Sequence, residues 1–231
     1  MKIIQTKWQV ELPLWLILAG MFLLAAATWV SAPDRIPMHW NLHGQVNGYG
    51  GKFEGLLAIP LLTLGIYLLM LFLPRVDPGR ANYPRFLGPY SVIRVGIVVF
   101  LALIYGVIHM WIRGHEIAVQ TVVPILVGGF LIVIGNVMGK IRPNWFVGVR
   151  TPWTLSSKVA WMKTNRLAGW LLILAGLVTV AMGIFQPKWG IWLLVICIAV
   201  LVLTVISYSY FVWRRDPEKI PPAGTSPAEE V

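Results

Sequence analysis

The chain has 231 residues, 58% hydrophobic and only 12% charged, with a mean hydropathy of +0.74 and a formal net charge of +10. Soluble domains carry roughly 25% charged residues, so a chain this poor in charge cannot clothe a water-facing surface and must meet lipid; a large soluble domain is excluded. The excess of Lys and Arg is that of membrane-protein loops rather than of a nucleic-acid surface, and the lone Cys197 excludes an internal disulfide and a cysteine-based metal site.

Lys2 and Lys7 precede an apolar run over 12–30. Signal-peptide apolar cores are about 7–15 residues long, so this run is predicted to be a retained first span. The segment 31–54 follows, dense in turn formers: Pro33, Pro37, Gly44, Gly48, Gly50 and Gly51, with Asn47-Gly48 as a tight-turn signal. His39 and His43 stand four apart, a spacing that on a helix lets two imidazoles share one metal ion, with Asp34 or Glu54 as third ligand. Pro37 and Gly44 limit any such helix to about one turn, and no glutamate stands where an H-E-x-x-H site needs one. The simpler reading is an ordered loop whose imidazoles hydrogen-bond to backbone or carboxylates, and no metal or cofactor is assigned.

Further spans are predicted over 55–73, 91–112, 117–138, 167–186 and 189–213. Only helices close their own backbone hydrogen bonds in lipid over runs of this length. Arg113-Gly114-His115-Glu116 and Gln186-Pro187-Lys188 form the turns of two tight helical hairpins. Arg94, just inside the third span, is expected to snorkel to the nearby interface. Gly128, Gly135 and Gly139 in the fourth span, and Gly169, Gly176 and Gly183 in the fifth, form small-residue faces that let helix backbones approach closely. The tail 216–231, rich in Pro, Ala and Glu, is expected to be disordered. The fold class is therefore all-α: a polytopic membrane helix bundle of about six transmembrane helices.

Charge sets the expected orientation. One side collects Lys2, Lys7, Arg75, Arg80, Arg85, Lys140, Arg142, Arg150, Lys158, Lys163, Arg166, Arg214, Arg215 and Lys219; the other holds only Arg35, Lys52, Arg113 and Lys188. The positive-inside rule places the richer side, and both termini, in the cytoplasm. The loop 139–166 on that side contains no acidic residue. Basic charge beside anionic lipid accounts for its cations, but its turns at Pro143-Asn144 and Thr151-Pro152, its aromatics Trp145 and Phe146, and its capping candidates Thr154, Ser156 and Ser157 specify more structure than a passive linker needs.

The residues Gly135, Asn136, Met138, Lys140, Arg142, Pro143, Asn144, Phe146, Gly148, Val149, Arg150, Thr151, Pro152, Trp153, Thr154, Leu155, Ser156 and Ser157, continued by Trp161, Lys163, Thr164 and Arg166, resemble the signature of the SdpI-like family of bacterial membrane immunity proteins. Gly139, Lys158, Val159 and Asn165 depart from its usual pattern. Ile36, Pro37, His39, Trp40, Asn41, Gly44, Asn47 and Gly48 resemble an N-terminal domain of unknown function often found in the same proteins. The resemblance divides the chain into 1–90, two spans with an ordered outer loop; 91–215, a four-span SdpI-like region; and the tail 216–231. It implies a bacterial plasma-membrane protein without catalysis, which protects its cell against a membrane-active toxic peptide on the outer side and relays that peptide's presence to a cytoplasmic regulator, with no direct contact to nucleic acid. The contact residues expected are His39, Asn41, His43 and Asn47 outside, and Arg142, Asn144, Arg150, Thr151, Trp153 and Thr154 inside. The alternatives are a transporter for a peptide or small molecule, which the near absence of ionisable residues at mid-span disfavours, and a zinc-dependent membrane enzyme built on His39 and His43.

Overall fold

The computed structural model describes residues 8–41 and 44–219. Lys2, Lys7, His43 and residues 220–231 lie outside that range. Among the described residues six helices are long and apolar enough to cross a membrane: α1 (Trp8–Thr28), α2 (Lys52–Val76), α3 (Leu87–Ile112), α4 (Val119–Met138), α6 (Lys158–Phe185) and α7 (Gly190–Arg214). A one-turn helix, α5 (Pro152–Leu155), precedes α6, and a 3-10 turn, Arg80–Arg85, links α2 to α3. The helix count is the one expected from the sequence. The two expected hairpin turns form at Gly114, with φ +79°, and at Gln186, which takes the left-handed φ of 46° and closes α6 through its N–H to Met182 O.

One boundary differs usefully. The fifth span is predicted from 167, but α6 starts at Lys158. Hydropathy detects only the apolar stretch, whereas the polar turns before it are also helical because the Ser157 hydroxyl accepts the Ala160 N–H at 2.9 Å and caps the helix start.

The helices group by what they bury. Toward one end, α1, α2 and α3 enclose Leu14, Leu18, Tyr67 and Val98, and further along Met21, Ala25, Leu56, Tyr105 and Ile108. Helix α3 also meets α4, where Phe100 and Phe130 stack with ring centroids 4.7 Å apart. The closest pair is α4 with α6, and the two glycine faces explain it. A Cβ on Gly128 would lie 2.5 Å from Gly176 O, and one on Gly135 would lie 2.6 Å from Gly169 O. Gly183 faces Thr121 O in the same way, at 2.9 Å. Each seven-residue step along α4 thus meets a seven-residue step back along α6, and backbone touches backbone. Helix α7 packs on α6 and α5 and is the least buried span.

The segment between α1 and α2 is a β-hairpin, β1 (Ile36–Trp40) paired antiparallel with β2 (Val46–Gly50). Asn47-Gly48 is not the turn but lies inside β2, with Gly48 opposite His39. The chain reverses between Trp40 and Val46 instead, where the Asn41 carboxamide accepts the Gln45 N–H at 3.0 Å and Gly44 supplies a φ of +74°. The hairpin sits on the start of α2, where a Cβ on Gly55 would lie 2.7 Å from the Ile36 side chain.

Candidate functional site

The family-like loop 139–157 lies at the end of the bundle where α2, α4 and α7 finish and α3 and α6 begin. Its fold rests on three buried polar side chains. Asp77, at the end of α2, has no exposed surface. Its carboxylate accepts the Gly79 N–H at 2.5 Å, the Tyr83 hydroxyl at 2.9 Å and the Trp145 N–H at 3.2 Å. Asp77-Pro78-Gly79 is thus an Asx turn that also grips a loop 68 residues away. Burial, reinforced by the hydrogen bond to Asp77, pushes the Tyr83 phenol well above its ordinary range. The Asn82 amide donates to Pro143 O at 2.8 Å, a second tie to the same loop.

Asn144 organises the loop from within. Its Nδ2 donates to Arg142 O and Val147 O at 2.9 and 2.8 Å, and its Oδ1 accepts the N–H groups of Phe146 and Val147 at 2.9 and 2.7 Å. Asn165, on α6, accepts the Val149 N–H at 2.8 Å. Trp161 donates its indole N–H to Ile141 O at 2.9 Å inside a cluster with Tyr83, Phe86 and Tyr90. Gly148 takes a φ of +114°, and a Cβ there would lie 2.7 Å from Asn165 Oδ1. Thr151 and Thr154 form a reciprocal capping box on α5. Thr151 also donates to the Ser209 hydroxyl of α7 at 3.1 Å, and the Trp153 ring meets Tyr210 edge-on at 5.3 Å. The Ser157 hydroxyl donates to the Asp216 carboxylate, so Asp216, expected in a loose tail, is buried.

These bonds sort the sequence-predicted residues. Asn144 and Thr154 are buried, at 2% and 1% exposure, with their polar atoms turned to backbone, so they shape the loop rather than touch a partner. Thr151 is held in the capping box. Arg142 and Arg150 reach the surface beside the exposed rings of Trp145 and Phe146, with Arg150 donating to Trp145 O at 2.6 Å. Three acids at this end turn inward: Glu11, Asp77 and Asp216 all serve internal partners. Arg75, Arg80, Arg85, Lys140, Lys158, Lys163, Arg166, Arg214 and Arg215 are exposed. The outcome is a rigid face with basic and aromatic character.

Arg94 does not snorkel outward. It is 1% exposed, forms an ion pair with Glu11 of α1, and lies 5.9 Å from the centre of the Tyr67 ring, whose hydroxyl donates to Glu11 at 2.5 Å. A partner within the bundle solves the desolvation problem that snorkelling would otherwise solve. At the far end of the same three helices, Nε2 of His109 meets the Thr28 hydroxyl at 3.2 Å and Tyr105 donates to Leu56 O at 2.8 Å. Glu11, Tyr67, Asp77, Tyr83 and Asp216 were not singled out from sequence as a site; the available signal was acid at the membrane border, where acid is uncommon, together with the Asp-Pro-Gly turn.

At the opposite end, His39 and Asn47 face each other across the hairpin, with Nδ1 2.5 Å from Asn47 Oδ1. Asn41 donates to Gln45 Oε1 at 3.0 Å. His39 lies in a strand, so the helical spacing that would aim it and His43 at one metal is not present, and His43 itself lies outside the described residues. Among the described residues no group of three or more His, Cys, Asp or Glu is placed to hold a metal ion.

Comparison with known proteins bears out the resemblance in both regions. Residues 140–210 match the profile of the SdpI/YfhL protein family, and residues 16–64 match a domain of unknown function, DUF1648. The chain is 25% identical over 198 residues to the immunity protein SdpI of Bacillus subtilis (strain 168), an alignment covering 85% of this chain and 93% of that protein. No solved structure is matched. With its six apolar helices, the chain is a multi-pass protein of the bacterial cell membrane.

Proposed function

Starting from a multi-pass membrane protein with an SdpI/YfhL region, we propose that this chain is an immunity protein that guards its cell against a membrane-active toxic peptide by binding rather than by catalysis. The observation that carries this reading is its similarity to the Bacillus immunity protein across nearly that protein's whole length. The orientation proposed puts the basic end in the cytoplasm, as the cation distribution favours. The toxic peptide would then meet the hairpin end, where His39 and Asn47 are exposed. A cytoplasmic regulator would meet Arg142, Arg150, Trp145 and Phe146.

The construction of the basic face supports a recognition role: its shape is fixed by Asp77, Asn144 and Asn165, so little ordering entropy is lost when a partner docks. Relay between the two ends requires the peptide to bind two arrangements of the bundle with different affinity. The hairpin rests on α2, and α2 ends at Asp77, which holds the basic loop; that helix is the proposed physical link.

Expression in a toxin-sensitive bacterium tests the reading. Survival during challenge with membrane-active peptides rises over an empty-vector control, and His39→Ala with Asn47→Ala abolishes the gain while surface expression is unchanged. Survival equal to the control against every peptide tested would falsify the immunity role.

A further inference from the structure

A separate feature concerns lipid, and it goes beyond the immunity reading. At the basic end, the first turns of α6 and the last turns of α7 leave a groove of about 380 Å3. Val159, Phe211 and Val212 give it apolar walls, while Lys163 and Arg215 bring two cations to it. Phe211 and Val212 precede Arg215 by about one helical turn, roughly 5 Å further into the bilayer. On α7 apolar surface therefore continues below positive charge, along the direction in which a phospholipid runs from acyl chain to headgroup, while α6 runs the opposite way and places Lys163 about one turn below Val159, from where its long side chain reaches back toward the interface.

One nearby acid offsets part of this charge and leaves two cations against one carboxylate in the groove lining. Asp216 lines the groove, yet one carboxylate oxygen accepts the Ser157 hydroxyl and the other accepts the Glu218 N–H at 3.0 Å. Among the described residues the ion pairs are Lys52 with Asp34 and Arg94 with Glu11, so Lys163 and Arg215 have no carboxylate partner there. The groove also opens sideways: α7 is the least buried span, and Phe211 is 54% exposed.

We propose that this groove is a binding site for one anionic phospholipid of the adjoining leaflet, with the headgroup phosphate between Lys163 and Arg215 and an acyl chain along Phe211 and Val212. The charge pattern selects the class. A zwitterionic lipid brings a cationic group that the two basic side chains repel, and free phosphate has nothing to place against the apolar wall.

The test uses the full chain in nanodiscs of mixed phosphatidylcholine and phosphatidylglycerol, with lipid retained on the protein after detergent extraction read by native mass spectrometry. Phosphatidylglycerol is enriched over phosphatidylcholine. The pair Lys163→Ala with Arg215→Ala weakens its retention about 30-fold, at roughly 1 kcal/mol for each cation near a headgroup. The pair Lys163→Arg with Arg215→Lys, which keeps the charge, retains the lipid, and Arg80→Ala with Arg85→Ala, which removes equal charge elsewhere, also retains it. Added inorganic phosphate does not displace it. Equal retention of the two lipids, displacement by phosphate, a bound peptide in place of lipid, or equal loss from the Arg80/Arg85 variant would each overturn the assignment.

Discussion

Removing the Glu11 carboxylate should expose how the first three helices are held. Arg94 has a side chain only 2% exposed and Glu11 one 14% exposed, so water cannot take over when either partner is lost. In Glu11→Ala a buried guanidinium keeps its charge without a counter-ion, which costs about 3–5 kcal/mol when one member of a buried pair is removed. The Tyr67 hydroxyl also loses its acceptor, a loss of about 1–3 kcal/mol for a buried donor. The two effects share one site and overlap, so the expected total is about 4 kcal/mol. The double variant Glu11→Leu with Arg94→Met removes both charges and should recover at least half of that, since buried pairs replaced by apolar side chains are often neutral or stabilising. Unfolding by SDS titration from mild micelles, followed by loss of helical circular dichroism, measures both. A single variant that costs under about 1 kcal/mol, as an exposed pair would, refutes the buried-pair account. So does a double variant at least as unstable as the single.

The same titration separates two adjacent glycines. Gly128→Ala drives a Cβ toward Gly176 O and should cost about 1–3 kcal/mol by overpacking, whereas Gly129→Ala meets nothing within 4 Å and should be neutral or stabilising by up to about 1 kcal/mol; equal effects would undo the stripe-on-stripe packing. Asn144→Leu strands two N–H and two C=O groups, and amide hydrogen exchange over 141–150 should accelerate by at least tenfold, about 1.4 kcal/mol of local opening. Unchanged protection there would mean the loop holds without its central side chain. For Tyr83 the folded state favours the neutral phenol, because burial and the Asp77 hydrogen bond raise its pKa. The unfolded chain ionises near pH 10, so the stability contributed by this group is complete below that pH and falls as pH rises above it. Absorbance titration of native protein should find Tyr83 silent where exposed tyrosines ionise, and a Tyr83→Phe variant should lose less stability than the parent between neutral and strongly alkaline pH.

Much of the architecture is written locally. Helix number follows from run length and hydropathy, and the glycine faces follow from a seven-residue spacing that brings each glycine back to one side of its helix. What stayed hidden depends on meetings across the fold. Glu11 and Arg94 are 83 residues apart, and Asp77 and Trp145 are 68 apart, so no local pattern joins them. The hairpin was obscured because Asn47-Gly48, a strong turn signal, is overruled by the Asn41 side chain and Gly44. The early start of α6 was hidden because its first turns are polar and bury themselves against the loop rather than in lipid. The loop motif itself was legible as a pattern, but the division of labour within it was not: Asn144 reads like a surface residue until its four backbone partners are seen.

The Glu11–Arg94 pair also has a consequence in time. Glu11 enters the membrane border while its partner is still to be made, 83 residues later. At about 5–20 residues per second, ribosomal elongation leaves it waiting roughly 4–17 seconds. During that interval the carboxylate is without the cation that accompanies it in the finished fold. Until Arg94 is made, α1 and α3 lack the ion pair that joins them in the finished fold. A pair that looks static in the finished protein is thus available only after the first part of the third helix has been made.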